Sequence, residues 1–99
     1  MPDVCGQIDG YLEDANTVMI VEVKSKPTAK DIDEHIERME KLRIYADSRN
    51  DKRRYLGAIA GVVFNEPERN YALKNGFYVV QPSGKTFSIT KPEGMPRVW

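Results

Sequence analysis

Apolar and polar positions along this chain follow two different periods, and the period selects the element. Residues 17–23, Thr-Val-Met-Ile-Val-Glu-Val, are rich in β-branched side chains and almost continuously apolar, which predicts a strand buried on both faces. Upstream, residues 6–12 alternate weakly and read as a second strand. The polar run Glu13-Asp14-Ala15-Asn16 between them predicts a turn, so the two strands form an antiparallel hairpin. After Lys26-Pro27 the period lengthens. Ile32, Ile36, Met39, Leu42, Tyr45 and Ala46 draw one stripe along a helix of about five turns. Thr28 caps that helix, Asp31 stands three positions on as half of a capping box, and Ser48-Arg49-Asn50-Asp51 breaks it.

The apolar run at residues 55–64 predicts a third buried strand, in which Gly57 and Gly61 point to a close backbone approach or a bulge. Asn65 caps a short second helix with Pro67 early in it, Ala72 and Leu73 supply its apolar side, and Asn75-Gly76 ends it. Residues 77–81 read as a fourth strand, Pro82-Ser83-Gly84-Lys85 as a turn, and residues 86–90 as a fifth strand. The tail, residues 91–99, carries two prolines and Trp99, an anchor that docks on the body or on a partner unless the end frays. Residues 1–99 are thus expected to form one α/β domain: a mixed sheet of four to five strands with two helices.

Composition narrows the functional classes. Apolar residues make up 40% and charged residues 30% of the 99, a globular balance. Lys plus Arg equals Asp plus Glu at 15 each, so bulk positive charge cannot attract nucleic acid. Any such contact must come from a local patch, of which Lys52-Arg53-Arg54 is the densest, or from metal ions. Cys5 is the single cysteine, so no intrachain disulfide forms, and a reducing compartment, the cytoplasm, is expected. No apolar run approaches the roughly 20 residues that span a bilayer, and the N-terminus has no signal-peptide pattern, so no membrane partner is expected.

Charge appears where burial is predicted, and that is where chemistry is sought. With the hairpin turn centred between Ala15 and Asn16, facing residues sum to 31, so Asp9 faces Glu22 and Gln7 faces Lys24. All four lie on one sheet face, with the two carboxylate-bearing Cβ atoms roughly 5 Å apart. Opposed carboxylates repel, and burial sharpens the repulsion. A shared proton, a bridge through Lys24, or a divalent cation would each relieve it. A hard cation such as Mg²⁺ or Mn²⁺ would take the Asp9 and Glu22 carboxylates, with the backbone carbonyl of Val23 as a further ligand.

Ile8-Asp9-Gly10, twelve residues on from which comes Glu22-Val23-Lys24, resembles the PD-(D/E)xK nuclease signature, and the order hairpin, helix, strand, helix, strand is similar to that superfamily's core. More narrowly, the Glu-Val-Lys strand end, the Thr-x-x-Asp helix start and the Gly-Ala-Ile-Ala-Gly strand resemble small prokaryotic members of the superfamily. The resemblance implies a restriction-endonuclease-like fold. It also implies Asp9 and Glu22 as metal ligands, Lys24 as the group that orients water or stabilises phosphate charge, and DNA phosphodiester hydrolysis with Mg²⁺ or Mn²⁺. Ile8 stands where the signature has proline, and only eight residues precede Asp9, so the leading helix of many relatives is expected to be missing. One sheet face would then be poorly covered, and a homodimer would bury it.

Other residues carry weaker signals. Lys26 reads as a solvated strand-end lysine with a phosphate contact as the minority role, and Gln81 approaches the site if the fourth strand runs parallel to the second. His35 reads as a helix-flank residue, while Met39 and Tyr45 read as core. Two functional classes stand: a Mg²⁺-dependent endodeoxyribonuclease, or a non-catalytic module that keeps the fold to bind nucleic acid or protein.

Overall fold

The computed structural model describes residues 10–13, as backbone, and 16–99. Five strands and two helices follow in the order β1 (Gly10–Glu13), β2 (Thr17–Lys24), α1 (Ala29–Ser48), β3 (Arg54–Gly61), α2 (Glu66–Lys74), β4 (Tyr78–Ser83) and β5 (Thr86–Thr90). They build one α/β domain around a mixed sheet whose spatial order is β1-β2-β3-β4-β5. β2, β3 and β4 run parallel, and the outer strands β1 and β5 are antiparallel to their neighbours.

The β1–β2 register places Gly10 opposite Val21 and Glu13 opposite Val18, so facing residues sum to 31, as the turn predicts. Residues 6–9 of the expected first strand and 14–15 of its turn lie outside the described residues, as do residues 1–5. Helix α1 opens on a complete capping box: Thr28 Oγ1 accepts from the Asp31 backbone N–H, and Asp31 Oδ2 accepts from the Thr28 N–H. Asn65 occupies the N-cap of α2 without a side-chain cap bond, and Pro lies in that helix's first positions.

Both parallel crossovers step across the sheet in the same direction, and right-handed crossovers of that kind place their helices on the same face. One core results. Val18 and Ile20 of β2, Tyr55 and Ile59 of β3 and Val79 of β4 pack against Ile32, Met39, Leu42 and Ala46 of α1 and Ala72 of α2. The glycines of β3 are part of this packing. A Cβ at Gly57 would stand 2.4 Å from Phe77 Cε1, and one at Gly61 would stand 2.6 Å from Pro27 Cδ. Both are close approaches, so the bulge alternative falls away.

Several details differ from the sequence pattern: Glu13, expected in the turn, pairs with Val18 as the last residue of β1, and Ser48, expected to break α1, is its last residue. β3 ends at Gly61, not at residue 64; the chain bends there, Val63 N–H bonds to the Ser25 carbonyl, and Val62 and Val63 are exposed. β4 runs on through Pro82 to Ser83, because Gly84, at φ +62°, lets a two-residue turn close the hairpin onto β5. The buried row of α1 is Ile32, His35, Met39, Leu42 and Ala46, so His35 is in the core and Ile36 and Tyr45 are flank positions. The tail docks on the body. Trp99 exchanges two backbone hydrogen bonds with Tyr55 beside the part of β3 that β4 does not reach, and its ring stacks on Phe77 at 5.2 Å between centroids.

Candidate functional site

Glu22 interrupts the apolar run of β2 at its C-terminal end, and strand alternation turns it, like Val18 and Ile20, toward α1. It is 4% exposed. A carboxylate so placed needs partners, because desolvation penalises its charge. Arg38, one helical turn beyond His35 on α1, donates from Nη1 to Glu22 Oε2 at 3.1 Å, and Lys24 Nζ lies 3.6 Å from Oε1. Arg38 is largely buried, whereas the Lys24 side chain is 43% exposed and reaches solvent beside the carboxylate.

His35 extends this cluster inward. Its Nδ1 lies 3.3 Å from Arg38 Nη1 and its Nε2 lies 3.2 Å from the Ile20 carbonyl oxygen. A guanidinium only donates, so Nδ1 must accept, and Nε2–H then donates to Ile20. The geometry therefore selects the neutral imidazole protonated at Nε2. Phe77 packs on the ring at 5.0 Å between centroids and seals it from water. A chain of hydrogen bonds thus runs from the β2 backbone through His35 and Arg38 to Glu22, tying the carboxylate's orientation to α1.

Of the residues singled out from sequence, Glu22 and Lys24 are brought together, while Asp9 lies outside the described residues. The Val23 side chain points to the opposite sheet face and is half exposed. Lys26 is exposed in the bend after β2. Gln81 lies on the same face and at the level of Lys24, two strands away, since β2, β3 and β4 are parallel and in register. Its Oε1 accepts from Arg69 Nε at 3.0 Å.

Lys52, Arg53 and Arg54 lie at the other end of the sheet. Arg54 pairs in register with Thr17, five residues before Glu22, which is about 17 Å at 3.3 Å per residue. Arg53 clamps Asp51 through Nε at 3.0 Å and Nη2 at 2.8 Å, and Tyr55 Oη donates to the same carboxylate at 2.6 Å. These bonds hold the Asp51 carboxyl well below the usual carboxylate range, while burial, then the Asp51 hydrogen bond, push the Tyr55 phenol up. One nucleotide's phosphate cannot touch both ends.

Sequence reading missed Arg38 and His35. The available signal was their spacing, since His35 follows Ile32 by three positions and Arg38 follows His35 by three, which carries the row from the core stripe to its edge. A carboxylate in an apolar strand also demands a cation from whatever packs on it. Among the described residues, no group of three or more His, Cys, Asp or Glu side chains converges on a point. The described donor set is one carboxylate flanked by two cations, so a metal here requires a second acidic group from elsewhere. No family model, no curated protein and no solved structure matches the chain.

Proposed function

We propose that the chain is a nuclease-like domain that engages a phosphodiester at the C-terminal end of β2, with DNA as the substrate. The observation that carries this reading is the pairing of buried Glu22 with solvent-reaching Lys24 on one face, at the C-terminal ends of parallel strands. Open α/β sheets bind ligands outside those strand ends. Supporting it is the β1–β2 register: one further step of the same pairing would set Asp9 against Glu22. The Asp9–Glu22–Lys24 set, with the strand and helix order around it, gives the reading its restriction-endonuclease-like form.

Glu22 and Asp9, with the Val23 carbonyl, would hold Mg²⁺ or Mn²⁺, which when bound supplies a water of lowered pKa and polarises a phosphate oxygen. Lys24 presents its ammonium where charge grows on the phosphate, and Arg38 holds the Glu22 carboxylate in place. The test is cleavage of supercoiled plasmid in Mg²⁺ or Mn²⁺ by the full chain, alongside Asp9→Ala, Glu22→Ala and Lys24→Ala. Metal-dependent nicking that each substitution reduces at least a hundredfold is expected. Equal traces for wild type and variants would end the catalytic claim.

A second reading rests on one observation: Glu22 already has two cationic neighbours. With Asp9 added, two acids would balance two bases without a metal, which suits a non-catalytic module that binds nucleic acid or protein. Calorimetric titration with Mg²⁺ separates the readings, since the module predicts no heat at a chain that is folded.

A further inference from the structure

Among the described residues, the sheet is polar on the side that the helices cover and apolar on the other. Toward the helices it directs Glu22, Lys24 and Gln81, whereas away from them it directs Met19, Val21 and Val23 from β2, Leu56, Ala58 and Ala60 from β3, and Tyr78 and Val80 from β4. β5 adds Phe87 and Ile89, 69% and 66% exposed, and Val23 is 52% exposed. Among the described strand residues, the charged side chain on this outer face is Arg54, at its N-terminal rim and hydrogen-bonded to Thr17. Neither helix covers the face, because both pack on the other side.

We propose that this outer face is the contact surface for a second copy of the chain, packed sheet against sheet about a two-fold axis. Area supports that occupant. Five strands 4.8 Å apart, each about six residues long at 3.3 Å per residue, present roughly 500 Å² in plan. Stacking two such faces removes about 1,000 Å² from water, the lower bound for a specific protein interface. Charge agrees, since an apolar centre with one rim arginine offers no charged group to bury on self-association, and Arg54 stays at the edge. Aligned sheet packing joins two pleated apolar surfaces of the same kind, and a two-fold contact uses one surface twice. The proposal is independent of the nuclease reading.

Sedimentation equilibrium of the full chain, from micromolar to several hundred micromolar, tests it without metal or DNA. A mass rising to twice that of the chain is expected. Val23→Glu and Ile89→Glu alter exposed side chains and are expected to leave far-UV circular dichroism unchanged. Each is expected to weaken association at least tenfold, and Phe87→Lys is the substitute should either fail to fold. A monomer at the highest concentration overturns the proposal, as does a dimer untouched by these variants.

Discussion

At the scale of single residues, the unequal exposure of the two cations beside Glu22 separates their roles. Arg38 is largely buried, so Arg38→Ala would strand a desolvated carboxylate and is expected to destabilise by about 3–5 kcal/mol. Lys24→Ala removes a partner that is 43% exposed and 3.6 Å away, and is expected to cost less than about 1 kcal/mol. Urea denaturation of the two variants checks the ordering; equal losses would contradict the burial argument. Gly57 supplies a second prediction. A methyl group there collides with Phe77, so Gly57→Ala should lose about 1–3 kcal/mol, and Phe77→Leu should recover part of it. A double variant no better than the sum of the singles would show that the two sites are not in contact. Gly57 was legible in sequence as a close approach, but its partner was not, since Phe77 lies twenty residues away and only crossover geometry brings it near.

At the scale of elements, the hairpin and α1 were legible because their signals are local. The turn position set the register of β1 on β2, and Thr28 with Asp31 set the helix start. The buried row of α1 was not legible, because hydropathy counts His35 as polar, while Arg38 and the Ile20 carbonyl satisfy both its nitrogens inside the core. The loop into β3 carries a pH prediction. The folded state lowers the Asp51 carboxyl below its ordinary value, so the unfolded chain binds the proton more readily. The stabilisation is therefore fully present above the ordinary carboxylate range and is lost as pH falls below about 4. The urea midpoint of the wild type should drop more steeply over that window than that of Asp51→Asn; parallel curves would refute the assignment. Trp99 closes the open flank of β3, and Trp99→Ala should cost about 3–5 kcal/mol, as expected for a large buried ring, by the same urea measurement.

At the scale of the whole molecule, the described residues form two layers, with both helices on the face that bears Glu22 and Lys24. No helix among the described residues is long and apolar enough to cross a membrane. The proposed metal centre links the site to global stability. A ligand that binds only the folded chain adds about 2.7 kcal/mol at a hundredfold excess over its Kd. Millimolar Mg²⁺ or Mn²⁺ should therefore raise the melting temperature of the wild type and leave that of Glu22→Ala unmoved. An identical rise in both would place the ion elsewhere.

Periodicity and turn chemistry, acting over a few neighbouring residues, were enough for the sequence alone to determine the strands, the helices, the hairpin step and the shared face of Glu22 and Lys24. Which helix residues would meet that carboxylate depended on how β2, α1 and β3 cross, as did the separation of Lys52-Arg53-Arg54 from it and the side of the sheet left bare. Those are relations between segments far apart in the chain. Only the closure of the long crossovers, with their handedness and packing, decides them.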